Sequence, residues 1–211
     1  MAIGTKASET RVVLNGISWA TYEAMLLDME HCGTRLTYDR GCLEMMSPSR
    51  EHERWKRLLG RMIETLTEEL GIPISSVGST TFKLELERRG LEPDECYYVA
   101  NEPKVRGRDE LDLSVDPPPD LAVEVEITSD IIDKLPIYAD LGVPEIWRYD
   151  GERLSVVCLQ TDRTYAERTQ SGVFSFLPLG EIERFLAERN ATDETSWIRS
   201  FRKWVRTIPI R

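Results

Sequence analysis

The chain has 211 residues, of which 41% are hydrophobic and 30% charged, and it carries a net charge of −10. That composition describes a globular protein with one sizeable core; it excludes a disordered chain, and no run approaches the roughly 20 apolar residues of a membrane span. The acidic balance counts against tight, non-specific nucleic-acid binding, which runs on Lys and Arg, but it allows a local basic rim beside carboxylates that metal ions neutralise.

The first ten residues are polar and lack the apolar run of a signal peptide, so a cytoplasmic location is expected. Arg11 to Leu14 reads as a short strand closed by Asn15-Gly16, and Ser18 as the N-cap of a helix over 19–30 with Tyr22, Met25 and Leu26 on one face. A hairpin follows, Arg35–Tyr38 and Cys42–Met46 across Asp39-Arg40-Gly41. Ser47-Pro48-Ser49 opens the longest helix, 50–70. Its Trp55, Leu58, Leu59, Met62, Ile63, Leu66 and Leu70 keep the three-four spacing of a buried face, and Gly71 stands at its C-terminal cap. Arg54, Arg57, Arg61, Glu64 and Glu68 on its other side read as a solvated face.

From residue 74 the apolar period changes to two. A strand is expected over Ser79–Glu87 with Phe82, Leu84 and Leu86 on one side, then a strand over Asp94–Val99. Residues 100–118 are a polar loop ending in prolines, and Leu121–Ile127 is a clear strand. A helix over about 133–141 has Asp133 as N-cap, Pro136 in its first turn and Gly142 at its end. Glu145–Tyr149 and Arg153–Leu159 form a hairpin across Asp150-Gly151. The remainder reads as a strand pair around 164–177, a helix over 182–189, and a last helix over 195–206. That last helix has an apolar face, Trp197, Phe201, Trp204 and Val205, which needs something to pack against and is a candidate dimer surface. The order argues for an α/β (α+β) fold, a mixed central sheet flanked by helices. Cys32, Cys42, Cys96 and Cys158 form no C-x-x-C pair and there are two histidines, so mostly buried, reduced thiols are expected rather than a zinc or redox site.

Chemistry concentrates around Glu124. Side chains alternate along a strand, so Glu124 and Glu126 share a face, roughly 7 Å apart. Adjacent like charges repel unless a cation lies between them, and a hard divalent ion with oxygen ligands is the simplest partner; a merely solvent-facing acidic strand is the bland alternative. Upstream, Glu92-Pro93-Asp94 sets a carboxylate at a strand start, and downstream Lys134 lies at the next helix. Metal-dependent phosphodiester cleavage needs that order: two carboxylates to hold Mg²⁺, a main-chain carbonyl between the paired acids as a further ligand, and a lysine that orients or helps deprotonate the attacking water. His52 reads either as a contact to substrate phosphate or water, or as packing at the helix start. Glu44, Glu51 and Glu53 read as solvated, with a further carboxylate for the site as the alternative, and Trp147 and Tyr138 as core rather than base-stacking residues.

From about residue 36 to 160 the sequence resembles the Uma-type restriction endonuclease family, a bacterial group of the PD-(D/E)XK nuclease superfamily. The resemblance rests on Met46-Ser47-Pro48 with His52, Gly78-Ser79-Thr80-Thr81-Phe82, Glu92-Pro93-Asp94-Glu95 and Pro119-Asp120-Leu121-Ala122-Val123-Glu124-Val125. It continues through Asp133-Lys134, Tyr138 and Gly142-Val143-Pro144-Glu145-Ile146-Trp147. It implies a restriction-endonuclease-like fold in a single domain over 1–211: an N-terminal helix and strand at 1–35, a nuclease core at 36–160, and C-terminal strands and helices at 161–211. It further implies Asp94 and Glu124 as metal ligands, Lys134 as the catalytic lysine displaced onto the following helix, Mg²⁺ or alternatively Mn²⁺ as cofactor, and DNA as the nucleic-acid partner; a homodimer paired through the last helix would suit double-strand cutting. Glu126 departs from the superfamily pattern, which places lysine there; it is either a further metal ligand or base, or the mark of a site that has left cleavage. The alternative function is therefore a non-catalytic binding or regulatory protein on a degenerate nuclease fold.

Overall fold

The computed structural model describes residues 9–30 and 32–209; the polar tail at residues 1–8 lies outside them. The chain enters through β1 (Thr10–Asn15) and α1 (Trp19–Met29), where the Ser18 hydroxyl accepts from the Thr21 amide at 3.1 Å. β2 (Arg35–Asp39) and β3 (Cys42–Ser47) make a tighter hairpin than the three-residue loop expected. Asp39 pairs with Cys42, so Arg40 and Gly41 alone turn the chain, at φ of 49° and 99°. Two-residue turns with both φ positive suit the right-handed twist of paired strands. α2 (Arg50–Leu70) has the limits its sequence implies: Ser49 caps it by accepting from the His52 amide at 3.1 Å, and Gly71 ends it at φ 63°.

β4 (Ser75–Ser76), β5 (Phe82–Leu84), β6 (Arg89–Leu91) and β7 (Glu95–Tyr98) come next. The continuous strand expected over Ser79–Glu87 does not form. The chain reverses over residues 85–88, with the Arg88 amide bonding the Glu85 carbonyl at 3.0 Å, and β6 folds back against β5. Leu86, expected to face inward, sits at the turn and is 98% exposed. α3 (Glu102–Val105) is a single turn inside the segment read as loop.

β8 (Leu121–Val125) leads through α4 (Leu135–Leu141) to β9 (Glu145–Tyr149), β10 (Leu154–Leu159), β11 (Tyr165–Arg168), α5 (Leu179–Ala187) and α6 (Glu194–Val205). α4 begins after Lys134, which takes the N-cap position, while the Asp133 carboxylate accepts from the Leu135 amide at 3.0 Å. Of the strand pair expected around 164–177 only β11 forms. Residues 172–176 are turns, because the buried Glu145 carboxylate draws the Gly172 and Val173 amides (2.6 and 3.2 Å) away from a ladder.

The strands make two sheets, in the orders β1-β3-β2-β6-β5 and β11-β10-β9-β8-β7-β4. Every pair is antiparallel except β8–β9, which is parallel and therefore needs the α4 crossover. One face of the second sheet (Leu121, Val123, Val125, Trp147) packs on Trp55, Leu59, Met62 and Ile63 of α2, with α5 and α6 extending this core. The other face (Ala122, Ile146) meets Ile137, Tyr138 and Leu141 of α4 and Phe82 and Leu91 from the first sheet. α1 covers the first sheet, where Tyr22 stacks on Tyr38 at 4.7 Å. Trp197, Phe201 and Val205 of α6 are buried in the α2 core, so the apolar face expected to serve a dimer is covered within the chain. Cys96 alone among the cysteines is buried; Cys32 is exposed, Cys42 and Cys158 are half-buried, and all are free. Among the described residues, no helix is long and apolar enough to cross a membrane.

Candidate active site

β8 is buried along its whole length, so a carboxylate in it is costly unless paired. Glu124 is paired twice. Lys134 at the head of α4 donates to its Oε2 at 2.8 Å, and the buried Tyr138 hydroxyl, one turn on, donates to its Oε1. Burial alone lowers the basicity of Lys134, but Glu124 and Asp130 (3.6 Å) outweigh it, so the ammonium titrates above its usual range. Tyr138 is pushed far above the ordinary phenol range by burial and by Glu124, and stays a donor.

Asp94 arrives from the neighbouring strand. β7 and β8 pair with Glu95 against Val123, and one further step of that register sets Asp94 opposite Glu124. The ladder ends there, because the Asp94 carboxylate, not a main-chain carbonyl, accepts from the Val125 amide at 2.6 Å. A residue's N–H and C=O leave a strand on the same side, so the Val125 carbonyl also faces the β7 edge. Its register partner would be Pro93, which has no N–H to give. Asp94 and Glu124 are thus register neighbours where the β7–β8 ladder ends, beside a carbonyl that the ladder leaves unpaired.

Asp94 is fully buried, and its second oxygen is covered by the Arg35 guanidinium and by His52 Nε2 at 2.9 Å. Arg35 also meets His52 Nε2 at 3.0 Å and Glu53 at 2.8 Å. His52 Nδ1 faces Glu9 at 2.6 Å. Burial alone raises the Glu9 carboxyl, but hydrogen bonds from His52, Thr128 and Arg11 dominate and hold it at about 2. Arg11 carries the network onward to Glu44 and, at 2.7 Å, to Asp130. Glu44, expected to be solvated, is buried, and its carboxylate anchors the loop before α4 through the Ile131 and Ile132 amides at 3.1 and 2.8 Å.

Asp94, Glu124 and Lys134 are therefore brought together. Glu126 lies just past β8 and accepts from Arg148 Nε and Nη2, at 2.6 and 2.8 Å. A cleft of about 310 Å³ opens beside them, lined by Glu124, Glu126, Asp130, Asp133, Lys134 and Arg148 among others, and Asp94 does not reach its wall. His52 is buried inside the network, a role neither of its sequence readings supplied. Arg35, Glu9, Arg11 and the Tyr138 hydroxyl are site residues that sequence reasoning missed. Nothing in the local pattern distinguishes Arg35 or Arg11 from any other strand arginine, whereas a tyrosine one turn after Lys134 was a usable signal.

A family model for Uma2, described as "Putative restriction endonuclease", matches residues 19–187. The chain belongs to the Uma2 family. No curated protein matches it. The Uma2 assignment accords with the mixed α/β architecture, which is restriction-endonuclease-like, and marks the chain as a member of a nuclease-like family. Among the described residues no three His, Cys, Asp or Glu side chains form a ready metal cage. The donor chemistry nevertheless fits a hard divalent ion: the oxygens of Asp94, Glu124 and Val125 are the ligand type that Mg²⁺ takes, and Arg35 and Lys134 now supply positive charge around them.

Proposed function

We propose that this chain is a metal-dependent endonuclease that hydrolyses phosphodiester bonds, with DNA as substrate. The observation that carries this reading is the meeting, at the β7–β8 edge, of Asp94 opposite Glu124 with Lys134 bonded to Glu124. Asp94, Glu124 and the Val125 carbonyl would hold Mg²⁺ or Mn²⁺, and Glu126, once released from Arg148, would support them or a second ion. When bound, such an ion polarises the phosphoryl group and favours deprotonation of water at neutral pH. Lys134 would orient the attacking water or help to deprotonate it, and would offset charge on the phosphate. Tyr138 holds Glu124 in place by donating to the oxygen that Lys134 leaves free. The reading takes the chain as one domain; any homodimer that cuts both strands must pair through a surface other than the covered face of α6.

Calorimetric titration with Mg²⁺ and Mn²⁺ tests the assignment. Asp94→Ala and Glu124→Ala are expected to abolish ion binding and any nicking of supercoiled DNA while keeping the wild-type circular dichroism spectrum. Either variant cutting at the wild-type rate would show the site to be wrongly assigned. A second reading, a non-catalytic binding protein on the same fold, is favoured by the engagement of Asp94 with Arg35 and of Glu126 with Arg148. Wild type that binds neither ion, even with an oligonucleotide present, decides for it.

A further inference from the structure

In a chain of net charge −10, residues 50–61 carry five cations against two carboxylates. Four of the cations, Arg50, Arg54, Arg57 and Arg61, recur at intervals of four, three and four along α2, which puts them in one stripe. At 1.5 Å per residue the stripe is about 16 Å long, the axial length of roughly five phosphates on one strand of a duplex. Arg50, Arg54 and Arg57 are exposed. Arg50 and Arg57 hold no ion pair among the described residues, and Arg54 and Arg61 reach Glu194 only at 3.6 and 3.9 Å.

Two further observations set the stripe in its surroundings: it lines a depression, and its first turn carries the buried contact to Asp94. Arg189, from the turn after α5, lies over the Trp55 ring at 3.7 Å and joins Arg50, Arg54 and Arg57 in lining a groove of about 890 Å³. Glu51, Glu53 and Glu194 line it as well, and Glu53 is neutralised by Arg35. The groove starts at the first turn of α2, the turn that carries His52 against Asp94, and the arginines continue into a neighbouring hollow beside Gly60.

We infer that the arginine stripe of α2, with Arg189, is the track for the sugar-phosphate backbone of the nucleic acid, delivering one strand to the Asp94 end of the helix. The inference rests on the nuclease reading and extends it by naming the surface and the chemistry recognised: phosphodiester oxygens, without base readout. The guanidinium fork suits paired phosphate oxygens.

The test reads binding, not cleavage, in calcium-free EDTA buffer so that turnover cannot interfere. A fluorescein-labelled 20-base-pair DNA duplex, its single strand and the matching RNA are titrated by anisotropy across a salt series. Arg54→Glu/Arg57→Glu is compared with Arg40→Glu/Arg106→Glu, a double reversal of equal charge at exposed arginines elsewhere. The α2 pair is expected to weaken binding at least about tenfold and to flatten the salt slope by about two, whereas the control pair leaves the slope unchanged. Equal loss in both double variants, or wild-type affinity in the α2 pair, overturns the track while leaving the nuclease reading to the ion titrations and nicking assay. Wild type that binds none of the three probes at low salt also overturns the track. Arg54→Gln/Arg57→Gln, with melting curves for each protein, separates loss of cations from damage by the introduced acids. The three probes distinguish duplex from single-strand and DNA from RNA as the source of the phosphates.

Discussion

Arg35 holds Asp94 with one amino group and Glu53 with the other, so a divalent ion must displace it from the aspartate to bind there. Removing that competitor by Arg35→Ala is expected to tighten Mn²⁺ binding severalfold, read by the fall of the free-ion paramagnetic resonance signal; weaker binding would mean that Arg35 holds Asp94 in its ligating position. Glu9 lends itself to a test against pH. Its carboxyl ordinarily titrates near 4.5 and is held at about 2 in the fold, so its stabilisation is complete above pH 4.5 and is lost as pH falls toward 2. The contribution is at most about 3 kcal/mol, and Glu9→Gln should flatten the acid limb of a urea-midpoint profile between pH 5 and 2. Asp94, Glu124 and Lys134 were legible in the sequence because a proline, a carboxylate inside an apolar strand and a helix-start lysine each break a local pattern. The arginines and Glu9 were not, because they meet the site only through tertiary pairing of β1 and β2 with distant segments.

Secondary elements were legible where their ends carry chemistry. Ser49 and Gly71 bracket α2 and fix its limits, and Gly71→Ala, which forces a side chain into a left-handed conformation, should cost about 1 kcal/mol in thermal or chemical unfolding. β5 was read as running on to Glu87, and β6 was not foreseen, because alternation persists through Leu86 and only the turn at 85–88 shows that this leucine leaves the core. The missing strand before α5 has a different cause. The Glu145 carboxylate accepts from Trp147 Nε1 (2.8 Å), Ser171 Oγ (2.5 Å) and the Gly172 amide (2.6 Å), a buried centre that no alternation rule reveals. Glu145→Ala leaves those donors unsatisfied and should destabilise the protein by about 3 kcal/mol, checked by denaturant unfolding with an unchanged slope.

Across the whole molecule the site is a joint between sheets. Arg11 and Glu44 come from the first sheet, Asp94 and Glu124 from the end of the β7–β8 ladder in the second, and the loop at 128–132 is held between them. The overall α/β class followed from the order of elements, whereas the division into two sheets depends on which strand edges meet, which a linear pattern does not encode. The parallel β8–β9 pair has a consequence for the order in which the protein assembles. The hairpins β2–β3 and β9–β10 close over a few residues, and Lys134 reaches Glu124 across 10, but Asp94 meets the Val125 amide across 31. Longer loops tend to close later, so during refolding Glu124 is expected to acquire its cation before Asp94 docks beside it. In pulse-labelled hydrogen exchange the Val125 amide should gain protection after the amides of α4. The nascent protein would then pass through a stage with an ordered lysine–glutamate pair and Asp94 still undocked, so recovered helix content would not report completion of that corner of the fold.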